Sequence, residues 1–237
     1  MNDIKVNALM LRAVDYLEND KILTLLTAER GKITAGIKGV RKAGAKLKFA
    51  AQPFCFAEYV LAGRGGRYTV TQASEGESFY ELRCNIDKFY AASAVCETAA
   101  ALTYEGDGGE IFSLCVKALT DMCNGDEGLT LIRFLIASLR LAGYGISAEK
   151  CVECGAPLSV TANMRFDMDA GAFTCWECGT GAGVSGITYG ALLAASGRTA
   201  EEVAPDGKKR ALKLLRAYLA YKTDAECRSL SEYIALI

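Results

Sequence analysis

Over the first 80 residues the apolar positions recur at every second residue. In "KITAGIKGV", Ile33, Ala35 and Ile37 share one side while Lys32, Thr34, Gly36 and Lys38 share the other. That is the period of a strand with one buried face. "ALMLRAV" and "KILTLLTA" precede it, "FCFAEYVLA" and "RYTVTQA" follow, and turn residues separate them. Five short strands in so short a stretch predict a small closed barrel, because closure removes the exposed strand edges. The expectation is a five-stranded OB-fold at residues 1–80.

From Glu81 onward the period lengthens. Ile111, Leu114, Cys115, Ala118, Leu119 and Met122 fall on one face of a helix. Phe89, Cys96 and Thr103 mark a helix before it, and Leu129, Ile132, Ile136 and Leu139 one after it. "EGDGGE" and "NGDEG" break the chain between them. Near the C-terminus "GKKRALKLLRAYLAYK" sets Leu212, Leu215 and Leu219 in one stripe bordered by cations. The fold class expected is α+β: the barrel, then an α-helical domain over 81–237, with a cysteine-bearing segment at 150–180 inserted into it.

Composition narrows the function. The chain has 237 residues, 51% apolar and 23% charged, as in ordinary soluble proteins. The N-terminus lacks the apolar run of a signal peptide. The most apolar helical window, 129–146, carries Arg133 and Arg140, which a bilayer core would penalise by about 2.5 kcal/mol or more each. The expected location is therefore the cytoplasm, with no membrane partner. There is no histidine, which excludes Ser-His, Cys-His and His-ligated zinc chemistry together. The net charge of −1 hides an asymmetry: residues 1–80 carry 12 basic and 8 acidic side chains, residues 81–150 carry 6 and 10. A cationic first third points to an anionic partner.

The cysteines carry the clearest motif. Cys151-x-x-Cys154 and Cys175-x-x-Cys178 stand twenty residues apart, within the spacing of a zinc site. Each pair wraps an ion in one tight turn, and a hairpin near Asp169-Ala170-Gly171 brings the two turns together. Gly155 and Gly179 follow the pairs and allow the turn geometry. A redox pair would open a helix, and neither of these does. A catalytic zinc keeps one position for water; four thiolates close the sphere, so the expected zinc is structural. The segment has few large apolar residues of its own, so the metal is expected to supply its folding energy. Cys55, Cys84, Cys96, Cys115, Cys123 and Cys227 are expected to be free thiols in a reducing compartment.

The cations cluster as well. "RGKITAGIKGVRKAGAKLKF" places Lys32, Lys38, Arg41, Lys42, Lys46 and Lys48 in a stretch with no acid between Glu29 and Glu58. The part after Val40 reads as a mobile loop. A second basic turn, "GRGGRY", adds Arg64 and Arg67 where an OB-fold grips oligonucleotides. These eight side chains are the candidate nucleic-acid contacts, suited to phosphate rather than to any one base. Tyr68 and Phe49 could stack on bases, although such residues are more often core.

The stretch "LMLRAVDYLENDKILTLLTAERGKITAGIKGVRK", then "QPF" and "TQASEGESF", with the four-cysteine segment in a helical body, resembles the bacterial RecO family of DNA repair proteins. The resemblance spans the chain. It implies an OB-fold, a zinc-containing helical domain and no enzymatic turnover. It also implies binding of single- and double-stranded DNA, annealing of complementary strands, and RecA loading together with RecR on DNA coated by the single-stranded-DNA-binding protein, SSB. Lys209, Arg210 and Lys213, beside the leucine stripe, are the expected contacts for SSB's acidic C-terminal tail, the leucines providing an apolar slot. Two other readings stand beside this one: a zinc-ribbon, OB-fold RNA-binding protein, and a thiol enzyme.

Overall fold

The computed structural model describes residues 2–103, 106, 108–199 and 202–237. Of the expected break at 105–110, Glu105 and Asp107 lie outside the described residues. The chain divides into two compact units, Met1–Asn124 and Gly125–Ile237.

In the first unit the alternating segments form β1 (Asn2–Tyr16), β2 (Asp20–Thr27), β3 (Gly31–Ile37), β4 (Phe56–Arg64) and β5 (Arg67–Glu77). They close into a barrel in the order β1-β2-β3-β5-β4, the OB-fold expected from the sequence. The long β1 serves two neighbours. Residues from Asn2 to Leu9 pair with β4, and residues from Ala8 to Tyr16 pair with β2. A register shift between Met10 and Arg12 lies just past the point where β1 passes from pairing with β4 to pairing with β2 alone. β3 meets β5 in parallel, and only at Ala35 opposite Tyr68 and Gly36 opposite Thr69. Met10, Leu23, Leu25, Ile37, Tyr59, Leu61 and Val70 fill the interior. Leu9 and Leu26, paired across β1 and β2, point the other way yet are also buried.

Three helices complete this unit: α1 (Tyr80–Cys84), α2 (Ile86–Leu102) and α3 (Gly109–Asn124). α2 and α3 pack on β1 and β2. Asn85 caps α2, its side chain accepting from Lys88 N at 3.0 Å. Thr103, expected within this helix, is its extended C-cap. The α3 face is largely as expected, with Ile111, Cys115, Ala118, Leu119 and Met122 buried, while Leu114 is only half-buried.

The second unit holds α4 (Glu127–Leu141), β6 (Met164–Asp167), β7 (Ala172–Cys175), β8 (Ala182–Val184), α5 (Gly186–Ala195), α6 (Pro205–Thr223) and α7 (Arg228–Leu236). α4 buries a broader face than expected: Leu131, Phe134 and Leu135 join Ile132 and Leu139, while Leu129 and Ile136 are only half-buried. α5 is apolar almost all round, so no stripe announces it. The three short strands form a sheet in the order β7-β6-β8. Among the described residues no helix is long and apolar enough to cross a membrane.

The cysteine segment differs from expectation in one respect. It is not poor in large apolar groups where they count. Phe166 and Phe173 are fully buried with ring centroids 5.0 Å apart. Phe166 meets Tyr218 of α6 edge-on at 5.3 Å, and Phe173 meets Tyr189 of α5 at 5.3 Å. The segment is thereby tied into the helices by aromatic packing as well as by its cysteines.

Candidate functional site

The four cysteines come together through backbone pairing. The first turn is closed by Gly155 N donating to Cys151 O at 2.9 Å and by Cys151 N donating to Ala156 O at 2.9 Å. It docks on β7, where Val152 N donates to Phe173 O at 3.2 Å. β7 itself ends in Cys175, which starts the second turn, closed by Gly179 N donating to Cys175 O at 3.2 Å. The hairpin turn expected near residues 169–171 is present: the Asp167 carboxylate accepts from Asp169 N and Ala170 N. The two glycines serve for different reasons. Gly155 has φ of +74°, which favours glycine. Gly179 is needed for space, because a Cβ there would lie 1.8 Å from Thr174 Oγ1.

All four sulfurs lie within 4.8 Å of one another, and Cys154 Sγ is 3.9 Å from Cys175 Sγ. A tetrahedron with metal–sulfur bonds of about 2.3 Å has edges of about 3.8 Å, so the cluster has the dimensions of a metal site. All ten cysteines are free. Backbone N–H groups, Cys154's first and then Cys175's, point at Cys151 and hold its thiol pKa down to about 6. Hydrogen bonding to Cys175 and then to Cys154 pushes Cys178 up to about 12. Four thiols this close cannot all ionise without a cation among them. The set can hold a metal, and Cys151, Cys154, Cys175 and Cys178 leave no position for a reactant.

The basic residues divide into two groups. The segment after β3 is not an open loop. It is a run of turns, with Ala45 N bonded to Lys42 O, Lys48 N to Ala45 O and Ala50 N to Leu47 O. Val40, Ala50 and Ala51 are buried in the barrel core, Leu47 and Phe49 pack against it, and Tyr59 donates its hydroxyl to Ala50 O at 2.8 Å. The small and apolar residues between the charges are therefore anchors. Lys38, Lys42, Lys46 and Lys48 project into solvent, and among the described residues none has an ion-pair partner. Arg64 and Arg67 face each other across the Gly65-Gly66 turn, and both are exposed.

The other two candidates are committed within the unit. Arg41 pairs with Asp15 at 3.3 Å and donates to Glu18 O at 3.0 Å, joining the basic segment to the β1–β2 turn. Lys32 donates to Ala100 O at 2.6 Å, in the last turn of α2, where an ammonium complements the helix dipole. Lys32→Ala is expected to lower the stability of the barrel unit by about 1–2 kcal/mol, read by urea unfolding. A loss below a few tenths would show that this bond contributes nothing.

On α6 the expected apolar slot is absent. Leu212 and Leu215 are fully buried and Leu219 is 1% exposed, so the stripe belongs to the unit's own core. Alongside it, Lys209 donates to Ile237 O at 2.5 Å and Arg210 pairs with Asp206 at 2.8 Å, while Lys213 is exposed. Sequence reasoning missed the tie of Arg41 to Asp15 and that of Lys32 to α2. Charge alone does not distinguish a bonded cation from a solvated one.

Comparison with known proteins bears on these surfaces. The family model described as "Recombination protein O N terminal" matches residues 1–79, and "Recombination protein O C terminal" matches residues 83–231. A "DNA repair protein RecO" of Nocardioides sp. is 31% identical over 234 residues, covering 94% of this chain and 96% of that protein. One from Anaeromyxobacter sp. is 30% identical over 237 residues, covering 93% and 92%. One from Desulfitobacterium hafniense is 34% identical over 175 residues; that alignment spans 73% of this chain and 64% of the relative.

Proposed function

The chain belongs to the RecO family of DNA repair proteins, and on that premise we propose that it is a non-enzymatic recombination mediator. It binds single- and double-stranded DNA, anneals complementary strands and, with RecR, helps RecA load on SSB-coated DNA in the bacterial cytoplasm. Residues 1–80 are the DNA-binding domain, and residues 81–237 the helical domain with its zinc segment at 150–180. Ten free thiols suit that reducing compartment. The metal is one structural zinc on Cys151, Cys154, Cys175 and Cys178.

The observation that carries the DNA reading is the row of Lys38, Lys42, Lys46 and Lys48, solvated on a segment whose apolar residues pin it to the barrel. Arg64 and Arg67 extend the cationic surface, with Arg41 and Lys32 contributing charge from their tethered positions. Such a surface meets phosphates and reads no base. The acidic tail of SSB meets Lys213, Lys209 and Arg210 through charge, since the leucines beneath them are core.

The test is Lys42→Glu, Lys46→Glu and Lys48→Glu in one chain. Each lost phosphate contact removes about 0.7 from the slope of log K against log salt on a single strand. The triple variant should therefore bind any sequence about a hundredfold more weakly at about 0.1 M salt, with a slope shallower by about 2. Annealing of SSB-coated strands should fall with it. Unchanged affinity and slope would place the DNA site on another surface.

A further inference from the structure

Because β3 joins β5 only at Ala35 and Gly36, the first half of β3 has no strand partner on that side among the described residues. Between it and the β4–β5 turn lies a cleft of about 680 Å³, whose lining includes Arg30, Lys32, Thr34 and Tyr68 together with Gly106, whose N–H donates to Arg30 O at 3.1 Å. A volume of that order accommodates a small ligand or one nucleotide. Arg30 is exposed and Lys32 donates to Ala100 O, so among the described lining residues two cations stand with one acid, Glu29. Thr34 offers an exposed hydroxyl. Tyr68 shares the inward face of β5 with buried Val70 and packs on the barrel core, yet it is only half-buried and borders the cleft. Phe49, the other aromatic beside the basic residues, lies in a short 3-10 turn against the core and does not line this cleft.

We propose that this cleft seats one unpaired nucleotide, the base against the ring of Tyr68 and a neighbouring phosphate against Arg30. The inference rests on the DNA reading above and adds strand selectivity to it. The projecting lysines meet the phosphates of single strands and duplexes alike. A base reaches a half-buried ring only when it is out of its stack. In a duplex, extruding it costs several kcal/mol, whereas in a single strand it is already available. A recessed aromatic therefore discriminates where a solvated lysine does not. Stacking is also insensitive to salt, so the two contributions separate experimentally.

The experiment uses the full chain with a single-stranded oligothymidine and a fully paired duplex of equal length. Tyr68→Leu keeps apolar packing on the core but removes the ring, and Tyr68→Phe keeps both. The leucine variant should bind the single strand about tenfold more weakly, the order that one lost base stack predicts. Its salt slope on the single strand and its duplex affinity should match the wild type. The phenylalanine variant should restore single-strand binding. Arg30→Gln should reduce the single-strand slope by about 0.7, with the duplex slope unchanged. Wild-type single-strand affinity in Tyr68→Leu overturns the proposal, as does equal loss on both DNAs. A wild-type chain that binds neither oligonucleotide overturns the DNA reading itself.

Discussion

Cys178→Ser is expected to release the metal and loosen the second unit while the barrel stays folded. Purified, reduced wild-type protein should contain one zinc per chain by elemental analysis, and the serine variant should contain little after mild chelation. The reason is geometric. Cys154 and Cys175 already stand 3.9 Å apart, the edge of a tetrahedron, and the fourth thiolate closes the sphere. Structural zinc sites of this kind contribute on the order of 10 kcal/mol of apparent binding energy, comparable with the whole stability of a domain. Metal binding must displace thiol protons, including the one that hydrogen bonding to Cys175 and Cys154 holds on Cys178. Acidification should therefore release metal from the wild type, and the variant should lose it at a higher pH. The barrel has its own core, around Leu25, Tyr59 and Leu61, so its β-sheet signal should survive chelation. Metal content and stability equal to wild type in Cys178→Ser would remove Cys178 from the ligand set.

The second large effect is expected at Phe166. Its ring is fully buried between Phe173 and Tyr218, meeting both edge-on. Phe166→Ala removes the ring and leaves a cavity that the short sheet cannot close, at a cost of about 3–5 kcal/mol. Against a typical domain stability of about 5–15 kcal/mol, that loss should appear as a lower urea midpoint for the second unit. Freshly prepared protein should retain its zinc, since Phe166 is not one of the four candidate ligands. A loss below about 1 kcal/mol would mean that the metal alone holds the segment. Loss of zinc with little loss of stability would mean that neither the ring nor the metal holds the segment.

These two sites show how legibility varied along the chain. The four cysteines were readable because metal coordination is short-ranged and needs a fixed spacing within each pair. The barrel was readable because a strand's period is two, and Ile33, Ala35 and Ile37 could bury only one face. The α3 stripe was readable for the same reason at the helical period.

What the sequence did not carry was the partner of each face. The Leu212, Leu215 and Leu219 stripe is identical on paper whether it lines an open slot or a core, and only packing made it core. Lys32 and Lys42 are alike as letters; the position of Ala100 O makes one a helix cap and leaves the other in solvent. Phe166 and Phe173 looked like scattered apolar residues until Tyr189 and Tyr218 arrived from α5 and α6. Nor could Gly179 reveal that its need is space beside Thr174 rather than a left-handed turn. Local periodicity and ligand spacing are written in the chain because they act over a few residues. Burial, ion-pair partners and the cleft beside Tyr68 are set by residues distant in sequence, and only the tertiary structure brings those together.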